Sequence, residues 1–227
     1  MAKVEDTTVD GADGALSARV YWPAGTEESG EALPLIVYFH GGGWLIANPM
    51  VYDASARAQS NQAKAIVVSV HYRQGPEDKF PAAHEDAIAA YNYVVENAGQ
   101  WNGDSQLIAV AGESAGGNLA LNVAIAARDQ QLTAPDAILA VYPVAGDDLE
   151  TPSYIANQNA VPLGKADIEW FVSHYLNDKS ETADTRTDIV GGADLAGLPP
   201  VTIVSAEIDP LNSEGVQLRD KLAEAGV

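Results

Sequence analysis

Gly112-Glu113-Ser114-Ala115-Gly116 stands between an apolar run at 107–111 and a run of small, helix-forming residues at 115–124. A serine centred in G-x-S-x-G at a strand-to-helix junction sits on a sharp, strained turn that exposes its Oγ as a nucleophile. Glycines on both sides leave the backbone room for that turn. A second cluster, His40-Gly41-Gly42-Gly43-Trp44, follows the apolar run at 35–39. Attack on an acyl group builds negative charge on the carbonyl oxygen, and backbone N–H groups must face that charge. A glycine loop can offer them because no side chain blocks the approach. The loop has neither the Gly-Lys-Ser/Thr ending nor the G-x-G-x-x-G spacing of phosphate-binding loops. A plain flexible turn is the remaining alternative.

These groups need a scaffold that ends strands at one edge. Runs at 35–40, 65–70, 107–111, 137–142 and 201–206 are β-branched and almost continuously apolar, as parallel strands covered on both faces are. Helical patterns follow near 53–63, 81–98, 115–129 and 213–225. Segments 3–9 and 16–22 flank Asp10-Gly11-Ala12-Asp13-Gly14, whose residues favour a turn, and predict a hairpin. Residues 23–34 form a polar loop. This alternation predicts a doubly wound, mostly parallel α/β sheet built as one domain over 1–227. The longer, more polar stretch at about 145–192 is expected to be a small cap-like insertion with a helix near 165–176. Trp170, Phe171 and Tyr175 on that helix either face a pocket or pack on the core.

From about residue 16 onward the chain resembles the bacterial hormone-sensitive-lipase-like esterases, a branch of the α/β-hydrolases. The resemblance rests on several motifs in order. They are His40-Gly41-Gly42-Gly43-Trp44, His71-Tyr72-Arg73 with Pro76-Glu77, Phe80-Pro81-Ala82-Ala83, and Gly112-Glu113-Ser114-Ala115-Gly116-Gly117-Asn118. Tyr142-Pro143, Gly197-Leu198-Pro199-Pro200 and Glu207-Ile208-Asp209-Pro210-Leu211, with Glu214-Gly215, complete the set.

The resemblance implies a carboxylic ester hydrolase working through an acyl-enzyme, without cofactor or metal, on short to medium acyl esters. Ser114 matches the nucleophile and Asp209 the acid, with Glu207 its rival. Backbone N–H groups of Gly41, Gly42 and Ala115 match the oxyanion hole, the pair within the glycine run being open. Trp44 and Tyr72 are candidates for lining the substrate site, and Glu113 for bracing the elbow. The triad order is Ser, Asp, His, yet no histidine follows Asp209. The resemblance therefore implies that a last strand, the base-bearing loop and a final helix are missing, that this form is impaired, and that 201–206 is an exposed edge with which a second copy could pair.

Four histidines remain. His40 is expected to brace the glycine loop, His71 to be structural, His84 to lie on an exposed helix face, and His174 to belong to the cap helix. None is expected to be the base. The alternative is a non-catalytic small-molecule-binding relative, since plant gibberellin receptors resemble these esterases and lack the histidine.

Composition narrows the partners. The net charge is −20, from 32 acidic and 12 basic residues, which disfavours nucleic acid and anionic membrane surfaces. There is no cysteine, so disulfides and thiol catalysis are excluded. No H-E-x-x-H or EF-hand pattern occurs, and the acidic Asp147, Asp148 and Glu150 read as a solvated loop. The first residues carry no apolar leader and no run reaches membrane-spanning length, so a cytoplasmic location is expected.

Overall fold

The computed structural model describes residues 3–26 and 30–227. Residues 27–29 of the expected polar loop, and the first two of the N-terminus, lie outside the described residues. Strands β1 (Lys3–Gly11) and β2 (Gly14–Trp22) pair antiparallel, with Asp10 opposite Ala15. Five further strands follow: β3 (Leu33–Phe39), β4 (Ile66–Val70), β5 (Gly103–Glu113), β6 (Ala137–Val141) and β7 (Val201–Val204). The sheet order is β1-β2-β4-β3-β5-β6-β7. β2 runs antiparallel to β4, and every pair from β4 to β7 is parallel. All five residues of β4 are buried, as expected for a strand covered on both faces. β7 alternates half-buried and exposed residues, with Val201 and Ile203 packed against the core and Thr202 and Val204 exposed on the opposite face. It also stops two residues short of the expected 206, since β6 ends at Val141 and no later ladder continues.

The helices are α1 (Asp53–Ala63), α2 (Ala82–Glu96), α3 (Ala115–Asp129), α4 (Pro152–Ala156), α5 (Lys165–Tyr175), α6 (Ile189–Gly192) and α7 (Asn212–Glu224). The connection from β3 through α1 leads to β4, on one side of β3. The connection from β5 through α3 leads to β6, on the other side of β5. The carboxyl ends of the adjacent strands β3 and β5 therefore face a crevice, the place where open α/β sheets bind ligands. Phe39 lies opposite Gly112 in the ladder, so the glycine loop and the elbow leave the sheet side by side. The stretch between β6 and β7 carries α4, α5 and α6. Among the described residues no helix is long and apolar enough to cross a membrane.

Candidate active site

Ser114 occupies the turn between β5 and α3 with φ 55° and ψ −119°. That backbone conformation is rare for a residue with a Cβ. It is held by hydrogen bonds on both sides. Ser114 N donates to Val141 O at 2.9 Å, and Ser114 O accepts from Asn118 N at 3.1 Å and Val144 N at 3.2 Å. A Cβ on Gly116 would come within 2.0 Å of Phe39 O, so only glycine lets α3 start this close to β3. Glu113, expected to brace the elbow, is buried and accepts from Tyr38 Oη at 2.5 Å and Tyr142 Oη at 2.7 Å.

The glycine loop turns at Gly42, whose φ is +117° and whose carbonyl accepts from Leu45 N and Ile46 N at 3.0 Å each. His40 is buried and its Nδ1–H donates to Gly41 O at 2.7 Å. Burial pushes this imidazole down to about 4, against the Gly41 hydrogen bond, so it is neutral near pH 7. Tyr72 stacks on His40 at 4.5 Å and donates to His40 O at 2.8 Å. It is buried under the loop and does not line the cavity, which corrects the expectation that it faces substrate. Its polar end is already used to hold His40.

A cavity of about 450 Å³ opens above this loop, bordered by Ser114, Asp209, Gly42, Gly43, Trp44, Tyr52 and Tyr142, with Phe171 and neighbours of the 145–192 stretch closing the far side. Gly41 is buried behind the rim. A Cβ placed on it would lie 2.5 Å from Tyr52 Oη and 3.3 Å from Ser114 Cβ. The glycines that reach the cavity are thus Gly42 and Gly43 rather than Gly41 and Gly42. Ala115 is the first residue of α3, where N–H groups have no intrahelical acceptor. Trp44 borders the cavity, and its ring stacks on Tyr175 at 4.8 Å. Of the three cap-helix aromatics, Phe171 lines the cavity, Tyr175 is buried and Trp170 is exposed.

Asp209 is half-buried on the cavity wall, whereas Glu207 is exposed and outside it. Asp209 Oδ1 accepts from Leu211 N at 2.9 Å, and its carbonyl accepts from Asn157 Nδ2 at 3.2 Å. Burial raises its carboxyl above the ordinary value, and the Leu211 hydrogen bond opposes this. Ser153 Oγ donates to Pro210 O at 2.5 Å, so α4 straps the acid-bearing turn in place.

Apart from His40, which braces the glycine loop, the histidine rings are engaged away from this site. His71 contacts Ser17 Oγ and Gln74 Oε1, and His174 lies against Trp170 O. His84 is buried rather than exposed, which corrects the sequence expectation. Its Nε2–H donates to Asn118 Oδ1 at 2.9 Å and its Nδ1 accepts from Tyr175 Oη at 3.0 Å. Those partners come from α3 and α5, distant in sequence, so the helix pattern around His84 gave no sign of them. Tyr52 was also missed. It follows Pro49-Met50-Val51 just before α1, where no motif marks it, and only the fold brings it to the cavity that Ser114 borders. Among the described residues no three His, Asp or Glu side chains are placed to hold a metal ion.

Comparison with known proteins agrees with this architecture. Residues 36–227 match the family model described as alpha/beta hydrolase fold. The carboxylesterase NlhH of Mycobacterium tuberculosis is 41% identical over 232 residues, covering 99% of this chain and 71% of that protein. The esterase LipI of the same organism is 38% identical, covering 99% and 70%. The crystal structure of an esterase from Pyrobaculum calidifontis superposes with a TM-score of 0.94 at 38% identity, covering 100% of this chain and 74% of that one. The chain belongs to the α/β-hydrolase family, in the branch of the hormone-sensitive-lipase-like esterases.

Proposed function

We propose that the chain is a carboxylic ester hydrolase for short to medium acyl esters, with Ser114 as the nucleophile. The supporting observation is that Ser114 and Asp209 open onto one cavity rimmed by Gly42 and Gly43. In this reading Ser114 Oγ attacks the ester carbonyl, the alcohol departs, and water then releases the acyl group. N–H groups of Gly42, Gly43 and Ala115 hold the oxyanion, which in a dry pocket is a large contribution to rate. Asp209 orients the histidine that takes the Ser114 proton. No histidine among the described residues is hydrogen-bonded to Ser114 or Asp209. The 227-residue form is therefore read as impaired, since loss of a triad histidine costs roughly a millionfold in kcat.

The same observation favours a second reading, a protein that binds a small ester-like molecule without turning it over. A fluorophosphonate probe and p-nitrophenyl butyrate separate the two. Probe adduct at Ser114, absent from Ser114→Ala, supports the esterase reading, and adduct on another serine overturns it. A form extended by a histidine-bearing segment is expected to hydrolyse the ester, with a steep loss in Asp209→Asn and little in Glu207→Gln. Ligand binding by that form with no turnover establishes the second reading instead.

A further inference from the structure

Tyr52 lines the same cavity as Ser114, and its phenol is half-buried there. Its oxygen and the Ser114 side chain flank one glycine, at 2.5 Å and 3.3 Å from the position a Gly41 Cβ would take. Its ring is wedged between Tyr38 and His40, with centroids 6.5 Å and 5.9 Å away, so the hydroxyl is carried by a packed aromatic rather than a mobile loop. The other phenols of this neighbourhood spend their protons on the protein. Tyr38 and Tyr142 donate to Glu113, and Tyr72 donates to His40 O. Among the described residues no acceptor takes the Tyr52 proton. Burial raises the phenol above its ordinary value, the Glu113 charge adds to this, and the Gly41 backbone beside its oxygen opposes both. The hydroxyl is thus protonated through the neutral range.

Resting on the esterase reading, we infer that Tyr52 is a further catalytic residue, whose O–H donates to the oxyanion formed when Ser114 attacks an ester carbonyl. Gly41, which does not reach the cavity itself, backs that phenol. No proton leaves Tyr52: the oxyanion accepts its hydrogen bond as the Ser114–carbon bond forms and gives it up when the carbonyl is restored. A donor of this kind acts on the transition state and leaves ground-state binding almost unchanged.

Saturation kinetics of fluorophosphonate labelling test this, with Tyr52→Phe, Ser114→Ala and the wild-type 227-residue chain compared. Tyr52→Phe is expected to lower the limiting labelling rate roughly 10- to 100-fold, somewhat below the loss from removing an oxyanion-hole amide, with the half-saturating probe concentration unchanged. A merely structural role would move the half-saturation instead. An unchanged limiting rate, with Ser114→Ala unlabelled, overturns the Tyr52 role and leaves the serine reading intact. Labelling of Ser114→Ala at the wild-type rate overturns the serine reading itself. Calorimetric binding of butylphosphonate, whose oxygens occupy the oxyanion position without any chemistry, gives a second measure. At least tenfold weaker binding to Tyr52→Phe is expected, and equal binding to both proteins, or binding to neither, overturns the inference.

Discussion

Tyr142 donates its hydroxyl to Glu113 at 2.7 Å, joining the end of β6 to the residue that precedes Ser114. Tyr38, on β3, donates to the other oxygen of the same carboxylate. The two strands on either side of β5 therefore grip the elbow from below. Hydrogen bonds to a charged group are worth about 1.5–3 kcal/mol each. Glu113→Ala is expected to lower unfolding stability by at least one such increment, and Glu113→Gln, which keeps one carbonyl acceptor, by less. Urea unfolding midpoints check this, and equal midpoints for Glu113→Ala and wild type would refute it.

Asp86 is fully buried on α2 and collects four donors: Ala12 N at 3.0 Å and, each at 2.9 Å, Arg73 N, Nε and Nη2. It pins the β1–β2 turn and the segment after β4 to one helix. Removing one partner of a buried pair strands the other, at about 3–5 kcal/mol. Arg73 is partly exposed, so Asp86→Ala is expected at the lower end of that range. Arg73→Lys should also destabilise, because a single ammonium cannot reproduce the two-pronged contact. Thermal and urea unfolding measure both.

Burial pushes the His84 imidazole down to about 4, against the hydrogen bond it donates to Asn118 Oδ1, with Arg186 lowering it further and Asp184 raising it. The unfolded chain takes up a proton at His84 as pH drops below about 6.5, and the folded chain does so only near 4. Its contribution to stability is thus complete above pH 6.5 and is lost on the way down to 4, at up to about 1.4 kcal/mol per pH unit. His84→Gln should show a shallower fall across that window. Parallel curves for the two proteins would mean that His84 is not held neutral.

Beside β7 and α7 lies a groove of about 430 Å³ lined by Val201, Ile203, Val216, Leu222 and Val227 among others. An unpaired strand edge with such a groove invites a further strand. We expect the 227-residue chain to associate with increasing concentration, and Val204→Lys, at an exposed position of that edge, to reduce the association. Sedimentation velocity reads it out, and a monomer at all concentrations without binding of a hydrophobic dye would count against it.

Strand and helix positions were legible because each buried strand is a β-branched run and each helix a distinct small-residue or mixed pattern. The bounds of α1 and α3 match the expected ones to the residue. What stayed hidden depends on partners that sequence order separates. His84 reads as a polar residue in a first helical turn, and nothing near it announces Asn118 or Tyr175. Tyr72 sits in a motif beside a buried strand, yet it is the stacking on His40 that decides which way it points. Tyr52 and Gly43 reach the cavity through the course of the loop between β3 and α1, which motif spacing alone does not describe.

The positive φ of Ser114 has a consequence for how this scaffold could be preserved or redesigned. A residue with a Cβ in such a conformation costs of the order of 1–3 kcal/mol, while glycine carries no such cost. Ser114→Gly should therefore give a chain that melts later and reacts with nothing. Selection for thermal endurance alone favours losing Ser114, so a stability screen on this protein needs a chemical readout beside the thermometer.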